Sequence, residues 1–482
     1  MDKQAKKINN KITLLFLSLT GFIAPCINLV YLPVLSTLAE DFNTTIPIIT
    51  LGITLTLFPA GIGLFVGGST SDFIGRKRVL IACFLIFNLA TLGCIFTKDI
   101  TIFLILRVAH AFVIRAALPT AFASLIDISN SSNRGKYLSV IIFALLSGVV
   151  IGPFLGGIIS EMFGWRGIFV FLLIYGSIVN ISYIFLKETN QNLKKVTFGK
   201  LIFSWIRPFK FLKNKICSVL VICQGISFAS LMFIMICIPL IGKNVYNLTD
   251  SQIGLLYLPS GVGGLISSFL SGRIIDYFYT KKYQTLGSRL IIPVVGYMCF
   301  SVLLIAIGYT IKQNLILFMV QCFVFDFFYT SSMNGLQAFL FGLIPNETSS
   351  LSALLSLSES VFGFFSTQYG SMINHENLHL SYFGFFSLCI ICALCLIIIL
   401  RKYWNIKEND HNQHGKNDNT GVDGNRKQDN MENECTEIGD TRDILELKNI
   451  EQRTEKDSSK KSKQSQENQP IFNQNNLENE FN

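Results

Sequence analysis

The sequence is poor in charge and in tryptophan. Only 15% of its 482 residues are charged and only 3 are tryptophan, whereas 50% are hydrophobic and 42 are phenylalanine. Soluble domains have about 25% charged residues, so this composition excludes a soluble enzyme and a disordered chain. The mean hydropathy of +0.48 instead indicates an integral membrane protein with many spans.

The sequence also lacks a cysteine framework in its loops and a phosphate-binding loop. Eleven of the 12 cysteines lie before residue 400, nearly all in apolar runs, and Cys389, Cys392 and Cys395 recur every three residues in one run. We interpret them as small apolar helix residues, which excludes a secreted disulfide scaffold, and we predict no metal site. The absence of a Gly-x-x-x-x-Gly-Lys-Ser/Thr segment disfavours an ATP-driven pump.

What the sequence does contain is a series of long apolar runs. A bilayer core needs about 20 apolar residues per helix. We number twelve predicted spans, at residues 12–38, 47–70, 79–97, 100–126, 138–161, 167–186, 216–241, 253–275, 289–310, 314–344, 351–374 and 380–400. We therefore expect an all-α membrane protein of twelve transmembrane helices in two pseudo-symmetric six-helix bundles.

The predicted organisation follows from these spans and from the longest loop. It comprises a short N-terminal segment (1–11), a first bundle (12–186), a basic linker (187–215), a second bundle (216–400) and a tail (401–482). The tail is rich in Asn, Gln, Glu, Asp, Lys and Ser, and its few apolar residues cannot offset the entropy of ordering. We predict that the tail is disordered.

Basic residues are sorted by loop. Residues 1–400 hold 27 Lys and Arg against 14 Asp and Glu, whereas the tail holds 13 against 17. The N-terminal segment and the loops after even-numbered spans hold 21 of the 27, and the alternate loops hold only Lys98, Arg166, Lys243 and Lys312. The positive-inside rule therefore predicts that both termini are cytoplasmic, and it makes the basic excess a topology signal rather than a nucleic-acid patch.

A compact motif, Gly68-x-x-x-Asp72-x-x-Gly75-Arg76-Lys77-Arg78, lies between spans 2 and 3. Its glycines permit a tight turn, and we expect Asp72 to lie at a helix N-terminus, where an anion is favoured. The order of Pro59, Gly61, Gly63 and this acid returns after span 7 as Pro259, Gly261, Gly263 and Asp276. This faint repeat supports duplicated halves, as in transporters built from repeats.

This motif resembles the cytoplasmic loop signature of the major facilitator superfamily. The resemblance implies that Gly68, Asp72, Gly75, Arg76 and Lys77 belong to a gating loop that latches the two halves together in one state. Asp127 with Arg134-Gly135, Gly164-Trp165-Arg166, and Leu186-Lys187-Glu188-Thr189 also fit the family, although Lys187 replaces the proline of its Pro-Glu-Thr sequence. The likeness covers roughly residues 12–400, and its span 8 region resembles fungal quinidine-resistance-type exporters.

Span 5 carries a glycine series. Gly148, Gly152 and Gly156 recur at every fourth residue and predict a flat groove for a partner helix. Pro153 removes a backbone hydrogen bond and is expected to kink the helix. Together with Gly157 the segment resembles the conformational motif of the drug:proton antiporters, although a generic packing helix would also use such glycines.

Span 4 contains a charge at bilayer depth. Arg107 is expected to face the interior, and Leu104-x-x-Arg107-Val-Ala-His110-Ala111 resembles a family motif that is tied to proton coupling. The family favours Gln and Gly where this chain has His110 and Ala111. His110 is either a group that titrates near neutral pH or a neutral core histidine bonded to a neighbouring helix. Arg115 either extends a basic cavity or snorkels to an interface.

Two acids interrupt the apolar runs of the second half. Asp326 lies in span 10 and Glu359 in span 11, and carboxyl groups in such places can carry protons. Glu359 replaces a base of the family segment, so it either pairs with Arg107 or Arg115 across the cavity or alters substrate charge preference. A structural acid bonded to backbone near a helix end is the alternative.

The candidate residues form two sets. Those for proton coupling are Arg107, His110, Asp326 and Glu359. Those for the substrate path are Asn28, Tyr31, Arg115, Gln224, Phe228, Asn334 and Gln337, although such polar residues also make interhelical contacts.

The resemblance implies a proton-coupled exporter of small organic compounds or drugs that works by alternating access and is not an enzyme. It would need no cofactor beyond the proton gradient. Its partners would be the substrate, protons and the lipid bilayer, with no nucleic acid. It would act as a monomer in a fungal plasma membrane, with a vacuolar or spore membrane as the alternative location. The alternatives are an exporter of a physiological metabolite (polyamine, amino acid, organic acid or cell-wall precursor) and a transport-dead membrane sensor.

Overall fold

The computed structural model describes residues 2–129, 134–190, 207–283, 285–311, 313–344, 348–373 and 378–404. Nine helices in this part of the chain are long and apolar enough to cross a membrane, and the longest of them contains both span 5 and span 6. Each predicted span therefore coincides with a helix or with part of one. The predictions for the tail and for most of the linker fall on residues 405–482 and 191–206, which lie outside the described residues.

The helix bounds follow the predicted order. Span 1 is Asp2–Leu29, continued by the 3-10 turn Leu32–Val34 and the helix Leu35–Asp41; span 2 is Ile46–Ile74, span 3 Arg76–Phe96, span 4 Ile100–Ile128, and spans 5 and 6 form Arg134–Ile184. A 3-10 helix, Arg207–Lys213, precedes span 7 at Lys215–Asn244. Span 8 is Asp250–Tyr277, followed by the π-helix Phe278–Tyr283 and the 3-10 helix Leu286–Leu290. Spans 9 to 12 are Ile291–Thr310, Leu315–Leu343, Thr348–Met372 and Leu378–Tyr403, so the last helix continues beyond the predicted boundary at residue 400.

Side chains in the loops start several of these helices. The Asp99 carboxylate accepts hydrogen bonds from the backbone N–H groups of Thr101 (2.7 Å) and Ile102 (3.1 Å), as a helix cap requires. The bonds from Ile102 and Thr101 also hold the pKa of Asp99 below its usual range. Asn214 caps span 7 in the same manner. Spans 5 and 6 are separated by Gly164, whose φ of 71° breaks the helix.

The two halves pair their helices in the same way. In the first half span 1 packs on span 5, span 2 on span 4 and span 3 on span 6; in the second half span 7 packs on span 11, span 8 on span 10 and span 9 on span 12. The halves meet where span 5 contacts span 8 and where span 2 contacts span 11. The helices therefore form two six-helix bundles related by a pseudo-twofold arrangement, as predicted.

The repeated glycines occupy equivalent contacts. A Cβ on Gly63 would lie 2.6 Å from the carbonyl oxygen of Phe112 in span 4, and a Cβ on Gly263 would lie 2.3 Å from that of Phe323 in span 10.

The end of the bundle that carries the loops after spans 2, 4, 6, 8 and 10 is called the basic end. The other end is called the opposite end.

Candidate functional site

Arg107 is fully buried, and its partners are uncharged. Its Nη1 donates to Nδ1 of His110 at 3.1 Å, and its Nη2 donates to the carbonyl oxygen of Ile27 (3.0 Å) and to Oδ1 of Asn28 (3.2 Å). The guanidinium carbon lies 4.3 Å from the centroid of the Tyr31 ring, a cation–π contact. The ion pairs found within the described residues do not include Arg107. The buried guanidinium of span 4 is therefore held against span 1 by neutral groups alone.

His110 completes this arrangement as a hydrogen-bond acceptor. A guanidinium can only donate, so Nδ1 of His110 accepts and the ring is neutral in this geometry. The other ring nitrogen, Nε2, then donates to Oγ1 of Thr91 (2.8 Å), whose hydroxyl donates to the carbonyl oxygen of Phe87 (2.7 Å). The ring also stacks on Phe87 at 4.2 Å. Of the two interpretations of His110, the geometry favours a neutral histidine bonded to a neighbouring helix.

A cavity of about 150 Å³ lies where the two halves meet. Val149 and Pro153 of span 5 contribute to one wall, and Met235, Tyr257 and Asp326 contribute to the other. Asp326 is the charged member of the described lining, is only 7% exposed, and accepts a hydrogen bond from the hydroxyl of Ser260. A single carboxylate therefore lies in a wall that is otherwise mostly apolar.

Glu359 lies close to the same region. Its Oε1 accepts a hydrogen bond of 2.6 Å from Nε2 of Gln224 in span 7. Tyr329, which also lines the cavity, lies within electrostatic range of both Glu359 and Asp326. Arg115 of the first half attracts Glu359 electrostatically without an ion pair within 4.0 Å in the described residues, and its buried Nε has no hydrogen-bond partner there. Arg115, rather than Arg107, is therefore the cation within electrostatic range of Glu359.

The remaining substrate-path candidates make different contacts. Asn28 and Tyr31 are bound to Arg107. A Cβ on Gly363 of span 11 would lie 2.7 Å from the Phe228 ring, so that ring packs between helices. Asn334 of span 10 donates to Oγ of Ser271 in span 8 at 2.8 Å, so it makes an interhelical contact, as the alternative interpretation expected. Gln337 lies one turn further along span 10 and is half-buried.

The predicted gating loop forms a network at the basic end. The Arg76 guanidinium contacts the carboxylates of Asp72 (3.1 Å) and Asp127 (2.5 Å). Asp72 lies in the last turn of span 2, so the expectation that it occupies a helix N-terminus is wrong. The anion at the N-terminus of span 3 is Glu188, which accepts hydrogen bonds from the backbone N–H groups of Arg76 (3.0 Å) and Lys77 (3.2 Å).

Glycine is required at one position of this loop. Gly75 has a φ of 104°, and a Cβ there would lie 2.6 Å from Oε2 of Glu188. Gly68 is less constrained, because its nearest neighbour is Cβ of Pro119 at 3.8 Å. Within the described residues the contacts of this network all lie in the first half, and the expected latch between halves stays a prediction.

The glycines of span 5 allow backbone contact with two helices. A Cβ would lie 2.1 Å from the carbonyl oxygen of Phe22 if placed on Gly148, and 1.6 Å from that of Val30 if placed on Gly156. Gly152 lies between them against Cys26, at 3.1 Å from Sγ. The partner of the predicted groove is therefore span 1.

The next residue of the motif reaches the other half. A Cβ on Gly157 would lie 2.3 Å from the carbonyl oxygen of Asp250, and a Cβ on Gly254 would lie 2.8 Å from that of Pro153. The helix stays helical through Pro153, and its non-helical residue is Gly164.

Polar contacts between the halves lie at the opposite end. The Asp250 carboxylate, at the start of span 8, accepts hydrogen bonds from Oγ of Ser160 (2.8 Å) and Oγ1 of Thr37 (3.5 Å). Sequence reasoning missed this cluster, because its members lie in three distant segments. Sequence reasoning also did not identify Glu188 as the anion at the N-terminus of span 3, although Glu188 lies in one of the family-like segments.

Comparison with known proteins identifies the class. The family model of the Major Facilitator Superfamily matches residues 17–367, so the chain belongs to this superfamily of membrane transporters and is not an enzyme. The chain is 24% identical over 444 residues to the MFS antiporter QDR2 of Candida albicans, covering 81% of this chain and 88% of the relative. It is also 26% identical over 298 residues to the Multidrug transporter QDR2 of Candida glabrata, covering 55% of this chain and 51% of the relative.

A solved structure agrees on the fold. The crystal structure of a D-xylose-proton symporter has a TM-score of 0.64 at 16% identity and covers 80% of this chain and 96% of the symporter. At this identity the likeness shows the fold alone. The family expected from the loop signature is thus confirmed, and the specific residue roles stay predictions.

Proposed function

We propose that this transporter exports small organic compounds or drugs in exchange for protons. The observation that carries the proposal is Asp326, a carboxylate in the apolar wall of the cavity between the halves. A substrate in the cavity and a proton on this carboxyl group would affect each other's binding, which is the requirement for exchange. The names of the Candida relatives, an antiporter and a multidrug transporter, support an exchange mechanism and a drug-like substrate.

The charges suggest how exchange is coupled to movement. Protonation of Asp326 removes the charge that a bound compound experiences, and a change of charge at Glu359 alters its attraction to Arg115 across the interface. Arg107 is tied to span 1 by neutral partners and acts as a fixed part of the first half. The halves then rock about the cavity while each half moves as a unit.

The orientation belongs to the same proposal. The basic end would face the cytoplasm, with both termini on that side of the plasma membrane. Because the polar contacts between halves lie at the opposite end, the described conformation would open toward the cytoplasm, where an exporter collects its substrate. A monomer with no cofactor, driven by the proton gradient, is sufficient for this cycle.

Everted plasma-membrane vesicles test the proposal. An acid interior should drive uptake of fluorescent drugs such as ethidium or rhodamine, and a protonophore should stop it. Asp326→Asn should abolish gradient-driven uptake, whereas Thr330→Ser, on the same cavity wall, should leave it within about twofold.

Three outcomes would contradict parts of the proposal. Uptake that is independent of the gradient would exclude proton exchange. Uptake of polyamines, amino acids or organic acids without drug uptake would favour the metabolite exporter. Absence of all uptake, with a cellular phenotype from deletion of residues 405–482 alone, would favour a sensor.

A further inference from the structure

A groove of about 570 Å³ opens at the basic end between spans 3 and 6, away from the central cavity. Three cationic side chains line it: Lys77 and Arg78 at the start of span 3, and Lys187 just after span 6. Spans 3 and 6 pack within the first half, so the groove lies at the periphery of the bundle.

The acid in the groove leaves the cations largely uncompensated. Glu188 is the acidic residue among the described lining. Its Oε1 accepts from the backbone N–H groups of Arg76, Thr189 and Asn190, and its Oε2 accepts from that of Lys77. This carboxylate is therefore committed to backbone donors, and three cations against one acid leave the groove with an excess of positive charge.

Lys77 is held in position for a ligand. Its ammonium donates to the carbonyl oxygen of Ile184, the last residue of span 6, at 2.7 Å. This bond uses one of the three N–H donors of the ammonium group. It also fixes the charge at the mouth of the groove, between the two helices.

The sides of the groove are apolar and exposed. Phe185 is 78% exposed and Ile184 is 57% exposed, and both line the groove. Exposed apolar residues continue from there along both helices, and they include Leu85 and Leu89 on span 3 and Ile178 and Ile181 on span 6. In a membrane protein such a strip faces acyl chains.

We propose that this groove binds an anionic phospholipid, with its phosphate between Lys77, Arg78 and Lys187 and its acyl chains along spans 3 and 6. The charge, the apolar strip and the position at the end of the spans match the two chemical parts of a lipid. Basic pockets between helices on the cytoplasmic side commonly bind such headgroups. Lys187 stands where the similar motif has proline, so the third cation is a feature of this chain.

The test compares lipid binding by two double variants of the purified full-length protein. Arg78→Gln/Lys187→Gln removes two cations of the groove but keeps Lys77 and its bond to Ile184. Lys136→Gln/Lys213→Gln removes two exposed cations from the same end and serves as the matched control. Native mass spectrometry with phosphatidylserine and phosphatidylcholine measures the bound lipid, and an added series contains inorganic phosphate as competitor.

The wild type should bind phosphatidylserine in preference to phosphatidylcholine. The groove variant should bind phosphatidylserine about 30-fold more weakly, from the loss of two surface-proximal charges, and the control should stay within about threefold. Equal loss in both variants would mean diffuse attraction and would overturn the proposal. Displacement of the lipid by millimolar inorganic phosphate would also overturn it, because the site would then be a simple anion pocket.

Discussion

Spans 4 and 10 occupy equivalent positions in the two halves, yet they bury opposite charges in different surroundings. Arg107 of span 4 is fully buried among neutral hydrogen-bond acceptors and a tyrosine ring. Asp326 of span 10 has a hydroxyl donor on one side and the cavity on the other. One charge is therefore held by its own half, whereas the other borders the cavity between the halves.

The packing of equivalent helices also differs between the two halves. In the first half Gly148 and Gly156 of span 5 contact the backbone of span 1. In the second half the equivalent pair, spans 7 and 11, places glycines against phenyl rings: Gly225 faces Phe362, and Gly363 faces Phe228. A ring can move aside more easily than a helix backbone, so a methyl group added at these glycines should be tolerated better in the second half.

The largest expected effect comes from a methyl group in the backbone contact. In Gly156→Ala the Cβ would lie 1.6 Å from the carbonyl oxygen of Val30, which forces spans 1 and 5 apart. Overpacking usually costs 1–3 kcal/mol, and a clash with backbone belongs at about 3 kcal/mol or more. We expect little monodisperse protein, measured by size-exclusion chromatography of a fluorescent fusion.

Gly363→Ala is the matched change in the second half. Its Cβ would meet the Phe228 ring at 2.7 Å, and the ring can move. We expect folded protein with a loss of about 1 kcal/mol, measured as a small drop in melting temperature. Equal damage from the two substitutions would contradict the difference in packing.

The next largest difference in stability is expected between variants that neutralise the two buried charges. Arg107→Met leaves the buried acceptors of Ile27 and His110 without a donor, at about 1–3 kcal/mol each, whereas Oδ1 of Asn28 keeps the Thr56 hydroxyl as its donor. Asp326→Asn keeps the shape of the side chain and should cost under about 1 kcal/mol. Thermal unfolding of the purified proteins measures both, and a larger loss in Asp326→Asn would reverse the assignment of fixed and available charges.

The sequence was sufficient to predict the spans, their pairing into halves and the motifs, because hydropathy and spacing are local properties. It could not supply contacts between distant segments. The partners of Arg107 come from span 1, and the anion at the start of span 3 is Glu188, more than 100 residues away along the chain. Asp72 was misplaced because the turn at Gly75, not the acid, separates spans 2 and 3. Only the three-dimensional structure shows that Tyr329 and Ser260 line the same cavity as Asp326.

A smaller effect is expected for His110. In His110→Gln the amide oxygen can still accept from Arg107, so transport should fall by less than about fivefold and its dependence on pH should keep its shape. Drug uptake into everted vesicles over a range of internal pH measures this. A pH profile that flattens in His110→Gln would make His110 a proton carrier and would remove the contrast between the halves.

Proton release on substrate binding would show whether Asp326 carries the exchanged proton. The purified protein in weakly buffered detergent solution is mixed with the drug that the wild type transports fastest, and a pH-sensitive dye records the protons released. We predict that about one proton leaves per bound drug in the wild type and in His110→Gln, and that none leaves in Asp326→Asn although the drug still binds. Unchanged proton release from Asp326→Asn would contradict the account, because the exchanged proton would then reside elsewhere.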